Sequence, residues 1–381
     1  MGAHDLLLVA GEASGDLHGA RLLSELKSLV PDLEAFGMGG AELRAAGLDA
    51  VADSREIAVV GLTEALRILP RAKQIFRQLL AECERRKPAT AILIDSPEFN
   101  LRLAKQLKAR GIKVIYYISP QVWAWRRGRV KAIARVVDLM LVVFPFEVDF
   151  YRGHDVAVEH VGHPLVDEVP VLPQAWDRGA PAGGEPFRIT LLPGSRRSEV
   201  EALLPSMLGA ARLLVDRLPA IFTLVQAPTI ADEQVENALA TAGVEVRRIR
   251  ERRFEEIANS HLVLCASGTA TLEVGLLGTP LIVAYRLNPL TYRMAKWLVR
   301  LPHFSLVNLV LGRGVVPELL QEGANAEGLA AAAEGLLRDP ARIAVMRTGL
   351  AELRPRLGAS GASRRAAEQV AGVLLRNGRA A

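Results

Sequence analysis

The tetrad Ser267-Gly268-Thr269-Ala270, with Glu273 three residues on, has the residue types and spacing of an anion cradle. It follows the apolar run His261-Leu262-Val263-Leu264-Cys265 and leads into a helix-like segment, Thr271–Gly278. Where a buried strand ends in small residues and a helix opens, backbone N–H groups point at one spot. The positive end of the helix dipole lies behind them. Glu273 falls about one turn inside that helix, where a carboxylate can accept bonds from both hydroxyls of a ribose. The same residues would also suit an ordinary strand–turn–helix corner, so the other motifs must decide.

Three further segments carry comparable chemistry. Gly11-Glu12-Ala13-Ser14-Gly15-Asp16 follows an apolar run directly, and its glycines would let the backbone approach a ligand closely. A plain tight turn reads the same way. In Asp95-Ser96-Pro97-Glu98-Phe99-Asn100, two carboxylates and an amide leave an apolar run together, stiffened by a proline. A carboxylate in such a place suits a general base, while the plainer role for Asp95 is to cap the next helix. Leu191-Leu192-Pro193-Gly194-Ser195-Arg196-Arg197-Ser198-Glu199 offers a Pro-Gly turn, a hydroxyl and two arginines. Arginine forks suit a diphosphate. The alternative is a helix start capped by Ser198.

Two stretches combine grease and positive charge. Trp123 and Trp125 stand one residue apart and are followed by Arg126, Arg127, Arg129, Lys131 and Arg135. Nucleic-acid stacking, a phosphorylated lipid at a bilayer, or a basic helix with core tryptophans would each use them. Base stacking would need such pairs repeated along a groove, and there is one. In Leu62–Leu80, Leu62, Ala65, Leu66 and Leu69 share a face, with Arg67, Arg71, Lys73 and Arg77 beside it. Pro70 is expected to restart the helix. Either a helix pair packs on its own sheet here, or the surface rests on a membrane. No Ser/His/Asp constellation and no zinc spacing stands out; His18 and His163 suit bonds to substrate or backbone better than to metal.

The elements that must position these groups alternate. Leu6–Ala10 reads as a strand and Leu17–Leu29 as its helix, with Asp16 placed to cap it. Leu33–Phe36, Ala91–Ile94, Val114–Ile118 and Leu139–Phe144 continue as strands. Their unbroken apolar character predicts parallel sheets covered on both faces. From Asp167 to Phe187 the pattern dissolves into prolines and glycines. It resumes with Arg188–Leu192, a helix over Glu199–Leu214, then Ile221–Gln226, Val244–Ile249, Leu262–Cys265 and Pro280–Tyr285. The predicted class is α/β: two facing, Rossmann-like, doubly wound domains, with ligands beyond the carboxyl ends of the strands. The expected boundaries are 1–168, a linker over 169–187, a second domain over 188–350, and C-terminal helices over 351–381 crossing back to the first domain.

Composition sets limits. The 381 residues carry a net charge of +5 and are half hydrophobic. With mean hydropathy +0.20 and a pI near 9.4, the chain is globular and suited to polyanionic partners. No apolar run reaches the ~18 residues of a membrane span. The N-terminal residues lack the positive flank of a secretory signal. Cys83 and Cys265 have no metal-ligand spacing, as in a reducing cytoplasm.

In their order along the chain, these motifs resemble the lipid-A-disaccharide synthase family of GT-B glycosyltransferases. The resemblance rests on Gly11–Asp16, Ile94–Asn100, Ser119–Trp125 with the arginines after it, and Phe144-Pro145-Phe146-Glu147. It continues through Val161-Gly162-His163-Pro164, Leu191–Arg196, Ala266–Glu273 and Ser305–Asn308. The chain departs from the family at Glu98, where Asp is usual, and at Val307, where Pro is usual. The resemblance implies transfer of the sugar of UDP-2,3-diacylglucosamine to 2,3-diacylglucosamine 1-phosphate (lipid X), with inversion and without metal or other cofactor. It assigns Asp95 as base, with Ser14 and Asn308 positioning phosphate or sugar. UDP falls to Ser195, Arg196, Ser267, Gly268, Thr269 and Glu273. Substrate loops fall to Gly11, Glu12, Gly15, Asp16, Glu98, Asn100, Trp123 and Trp125, and membrane contact to Leu62, Leu66, Leu69, Arg67 and Arg71. The implied partners are the two acylated substrates, an anionic phospholipid surface and a second copy of the chain, with no nucleic acid. The implied location is cytoplasmic, on the inner face of the inner membrane. The rivals are an isomerase like UDP-N-acetylglucosamine 2-epimerase, a transferase for another lipid acceptor, and a non-catalytic nucleotide- or phospholipid-binding protein.

Overall fold

A computed structural model describes residues 4–56, 62–125, 127–172, 181, 184–287 and 302–378. The chain divides into two compact units, one formed by Met1–Pro164 with Gly358–Ala381, the other by Leu165–Leu357. In the first unit a seven-stranded sheet runs β3-β2-β1-β4-β5-β6-β7. Its strands are β1 (His4–Ala10), β2 (Leu33–Gly39), β3 (Asp49–Asp53), β4 (Thr90–Ile94), β5 (Lys113–Tyr117), β6 (Leu139–Val142) and β7 (Val158–His160). In the second, a six-stranded sheet runs β10-β9-β8-β11-β12-β13. It is made of β8 (Phe187–Leu192), β9 (Ala220–Val225), β10 (Val246–Ile249), β11 (Leu262–Ala266), β12 (Leu281–Tyr285) and β13 (Glu318–Leu320). Every pairing in both sheets is parallel.

The apolar runs do what their composition predicts. β4 and β11 are buried along their whole length, because helices cover both faces of a parallel sheet. In each unit the order reverses beside the first strand, between β1 and β4 and between β8 and β11. Ala10 pairs with Ile94, and Leu192 with Cys265. The loops leaving these strand ends are thereby neighbours, and a crevice at such a reversal is the usual ligand site of doubly wound folds.

Several expectations are corrected. The helix after β1 is Ala13–Leu29, and its N-cap, Glu12, makes no side-chain cap bond. Asp16 therefore does not cap it. Its buried carboxylate instead accepts the N–H groups of Gly40, Glu42 and Leu43 at 2.6, 3.0 and 3.2 Å. It caps the neighbouring short helix Ala41–Ala45, satisfying donors that have no partner within that helix. Gly40 is required beside it, since a Cβ there would meet Asp16 Oδ2 at 2.5 Å.

Pro70 does not break its helix, which runs unbroken from Leu62 to Arg86. The proline is exposed, where water can serve a carbonyl left without its donor. The later part of this helix is core: Ile75, Leu79 and Cys83 are buried, with Phe76 and Leu80 packed against them. Leu69 is 45% exposed, and Arg71 pairs with Glu56 at 2.6 Å. The side chains of Leu62, Leu66 and Arg67 lie outside the described residues. No helix among the described residues is long and apolar enough to cross a membrane.

Much of the expected linker, 173–180 with 182 and 183, also lies outside the described residues. Leu165–Glu168 forms a short helix of the second unit. At the other end, the chain leaves that unit after the helix Leu353–Leu357. The final helix, Ala362–Gly378, belongs to the first unit and packs on Ala13–Leu29. There Arg364 reaches Glu25 at 3.2 Å and Ser28 at 2.8 Å. Arg365 donates to the carbonyl of Val161 at 2.9 Å.

Replacing Asp16 with Ala leaves three backbone donors short of an acceptor, so the variant should lose about 2–4 kcal/mol of stability. Urea unfolding measures this, and an unchanged midpoint would show that the cap contributes nothing.

Candidate active site

In the first unit the candidate site forms where β1 and β4 end. Gly11 is buried, Glu12 and Ser14 are exposed, and Gly15 is buried against Ala10 and Ile94. A Cβ on Gly15 would lie at ordinary contact distance, 3.5 Å from Ala10 and 3.6 Å from Ile94. The Gly11–Gly15 segment is thus a helix start lying close over the sheet rather than an open loop. Ser14 occupies its exposed first turn.

Asp95 is half-buried at the end of β4, and its backbone is unusual. Asp95 and Ser96 are both left-handed, with φ of 46° and 45°, which costs a non-glycine residue roughly 1 kcal/mol each. The Asp95 N–H donates to the Tyr117 carbonyl at 3.1 Å. Its own carbonyl accepts from the Asn100 amide at 2.8 Å and from the Tyr116 hydroxyl. Asp95 does not cap the following helix, Pro97–Ala109, whose N-cap is Ser96 without a side-chain bond. Burial pushes the Asp95 carboxyl up to about 6, the nearby Glu12 carboxylate adds to this, and a backbone bond from Ser96 opposes it. A carboxyl held there is mostly ionised at neutral pH and basic enough to take a proton.

Three of the residues expected in the substrate loops make contacts within the fold. Asn100 is fully buried, and its Nδ2 donates to the carbonyls of Ile94 at 3.0 Å and Asp95 at 2.8 Å. Its Oδ1 has no partner among the described residues. Glu98 is exposed and held by Arg129 at 2.7 and 3.2 Å. Trp123 is core, not a stacking platform. Its ring sits edge-on to Phe146, and its Nε1 donates to the buried carboxylate of Glu147 at 3.0 Å. Glu147 also accepts from Ser119 at 2.6 Å and from the Phe144 N–H at 3.1 Å. Burial still outweighs these bonds and raises its pKa to about 7. Its run, Phe144-Pro145-Phe146-Glu147, was legible as a motif, but its role as a hub was not. The side chain of Trp125 lies outside the described residues. His163 is held neutral by burial, which lowers its pKa to about 3. No His/Cys/Asp/Glu cluster suited to a metal occurs among the described residues.

In the second unit the candidate site forms where β8 and β11 end. After β8, the N–H groups of Ser195 and Arg196 both point at Glu199 Oε2, at 3.2 and 3.3 Å. The Arg196 guanidinium pairs with Oε1 at 2.8 Å and is 78% exposed. Ser198 therefore does not cap the helix Arg197–Val215; Glu199 reaches back to do so. Gly194 permits this turn at φ 117°, where a Cβ would lie 2.6 Å from Glu199. Two amides and a guanidinium already converge on an anionic group here. Sequence reasoning named the arginine but missed Glu199, though its spacing of three from the cap residue is the readable sign.

After β11, Ser267 donates to the Phe304 carbonyl at 3.0 Å. Gly268 opens the helix Thr269–Leu276, whose N-cap has no side-chain bond. Among the described residues a Cβ on Gly268 would meet nothing within 4 Å. Thr269 is exposed, so among the described residues no side chain packs over this helix end. Glu273, mostly buried, pairs with Arg253 at 3.2 Å. Burial raises its pKa, Arg253 opposes, and Glu168 adds to the rise. Arg253 lies 20 residues upstream and had no sequence signal.

Asn308, expected to orient sugar or diphosphate, is buried and bonded within its own turn. Its Oδ1 accepts from Val315 at 2.8 Å and Val316 at 3.0 Å. Its Nδ2 donates to the Val316 carbonyl at 2.9 Å and to Glu318 at 2.8 Å. The amide is fully engaged in holding its own turn. Ser305, the N-cap of Leu306–Leu311, accepts from the Asn308 N–H. That side-chain cap defines the turn without the usual proline at 307.

The family model described as lipid-A-disaccharide synthetase matches residues 6–370. The lipid-A-disaccharide synthase of Geobacter metallireducens is 45% identical over 376 residues, covering 97% of this chain and 96% of its own. Among solved structures, the UDP-GlcNAc 2-epimerase of Neisseria meningitidis, bound to UDP-GlcNAc, is similar with a TM-score of 0.62 at 13% identity. That match covers 98% of this chain and 100% of the other. The calicheamicin glycosyltransferase CalG4 gives a TM-score of 0.60 at 15% identity, covering 99% of both chains. At such identities these structures speak for the fold alone, and that fold is GT-B.

An acid whose pKa rises on folding favours the folded state while protonated and loses that contribution as pH climbs. For Asp95 the window runs from about 4 to about 6. Asp95→Asn keeps the shape without the charge. It should therefore be more stable than the parent at pH 8 by up to about 3 kcal/mol, a gap that closes as pH falls through 6 towards 4. Denaturant midpoints across this range test it, and a pH-independent difference would show that the carboxyl is not desolvated.

Proposed function

The chain belongs to the lipid-A-disaccharide synthetase family, and on that footing we propose that it joins UDP-2,3-diacylglucosamine to lipid X. It is a glycosyltransferase of lipid A biosynthesis with the GT-B fold. The observation that carries the finer reading is the desolvated carboxyl of Asp95 at the strand reversal of the first unit.

In this reading the acceptor's 6-hydroxyl gives its proton to Asp95 as its oxygen attacks the anomeric carbon of the donor. The bond from that carbon to the UDP oxygen breaks from the opposite face. The product is a β-1,6-linked disaccharide 1-phosphate, and UDP carries off the electron pair. The second unit binds the nucleotide. The Thr269 helix end meets the charge that builds on the diphosphate, and the Ser195 and Arg196 amides, with the Arg196 guanidinium, exchange Glu199 for phosphate. The exposed ion pair contributes at most about 1 kcal/mol to the cost of this exchange, and phosphate oxygens replace the carboxylate as acceptor for the two amides. Glu273, steadied by Arg253, takes the ribose hydroxyls. Ser14, on its exposed helix turn, reaches a substrate phosphate.

Two variants separate the roles. Glu273→Ala should weaken UDP binding in calorimetry by removing charge-assisted bonds worth about 1.5–3 kcal/mol each. Asp95→Asn should keep UDP affinity yet slow transfer roughly 10²–10⁴-fold, while Glu98→Gln costs less. Mass spectrometry of the product from UDP-diacylglucosamine and lipid X reads the reaction directly. Turnover of the UDP-sugar without acceptor would instead mark an isomerase, and an active Asp95→Asn would move the base elsewhere.

The acylated substrates also require a lipid-facing surface, which we assign to the start of the Leu62–Arg86 helix, where Leu69 is exposed. Changing Leu62, Leu66 and Leu69 to Ser should release the protein from anionic vesicles in sedimentation while its melt stays cooperative. Loss of the cooperative melt would make these leucines core.

A further inference from the structure

Tyr116 and Asn100 converge on one atom, the carbonyl oxygen of Asp95. We infer that they are positioning residues for the base, holding Asp95 by its backbone so that two consecutive left-handed residues set the direction of its carboxyl. The inference rests on Asp95 being the base.

The backbone here has reasons to be elsewhere. Neither Asp95 nor Ser96 is a glycine, yet both have positive φ. Ser96 precedes Pro97, and a residue before proline prefers extended backbone. Left alone, the peptide would relax toward that preference and swing the carboxyl away from the end of β4. Two hydrogen bonds saturate the Asp95 carbonyl and oppose this.

Both donors come from rigid places. Tyr116 lies on β5, paired through Leu93 to β4, and is fully buried. Burial, with the negative charge of Asp95 adding to it, holds its phenol well above the usual tyrosine range, so the hydroxyl stays a donor at any working pH. Asn100 sits in the first turn of Pro97–Ala109. It bonds the Ile94 carbonyl as well, tying the last strand residue and the base to one amide. Its Oδ1 is left buried without a partner among the described residues. A side chain chosen only to fill this corner would not carry that unmet acceptor.

The test is Tyr116→Phe, which removes the hydroxyl and keeps the ring. It should lower kcat roughly 10- to 100-fold, the scale of a misplaced catalytic group, with little change in KM. The acid limb of the rate profile should move below about 6, because a released carboxyl reaches water. A ¹³C NMR titration of the Asp95 carboxyl should show the same shift without any turnover. Ser96→Gly added to Tyr116→Phe should restore much of the lost kcat, since glycine holds positive φ without strain. Asn100→Ala gives a second route to the same loss if Tyr116→Phe folds poorly.

A Tyr116→Phe enzyme with parental kcat and an unmoved titration overturns the inference. So does a loss of activity that follows only the folded fraction and is not rescued by Ser96→Gly. If the carboxyl titration shifts while Asp95→Asn still turns over normally, the clamp stands and the choice of base falls.

Discussion

A parallel sheet sends the carboxyl end of every strand to one edge, and the arrangement of this molecule depends on that constraint. Each return to the start of the next strand needs a covering helix, so the chain must build outward from a first strand, then come back to its other side. In both units this leaves one reversal, at β1/β4 and at β8/β11. Only there do two adjacent strand ends send their loops apart. Gly11 and Asp95 leave one such point, Pro193 and Ser267 the other. The chemistry is gathered by topology before any side chain is considered.

The chain treats its buried and half-buried carboxylates in two opposite ways. Asp16 accepts three backbone N–H groups, Glu147 a hydroxyl, an indole N–H and an amide, and Glu318 two amides and Asn308. Each charge-assisted bond offsets about 1.5–3 kcal/mol of the desolvation that burying a carboxylate costs. These groups stabilise turns of the fold. Among the described residues Asp95 has burial and a neighbouring carboxylate, with one backbone bond to oppose them, and Glu273 has a single arginine. A group left short of partners is the one with binding capacity to spare. The division separates the acids fully engaged within the fold from the two candidate site acids, Asp95 and Glu273.

The sequence by itself determined the class of fold, because unbroken apolar runs alternating with amphipathic ones have few other solutions. It also located the loops that matter, since glycines, prolines and polar residues directly after an apolar run mark strand ends. The family likeness was legible for the same reason: half of its motifs are the loops of the two reversals, and most of the others follow β5, β6 and β7. Leu69 and the Pro70 helix show the limit of such reading, since an exposed proline can leave a helix intact.

Partnership was decided mainly by tertiary structure, the local Arg196–Glu199 pair, three residues apart, being an exception. Asp16, Asn100, Trp123 and Asn308 have the types and places of site residues, yet each is engaged within the fold. Glu147, Glu199, Tyr116 and Arg253 did not stand out by type, and they hold the groups that did. A hydrogen bond joins atoms by distance in space, and these partners are separated in sequence by anything from 3 to 28 residues. Periodicity and spacing report which face a residue takes and where an element ends. What a polar side chain meets on that face depends on chain segments packed from elsewhere, and only folding brings them within reach.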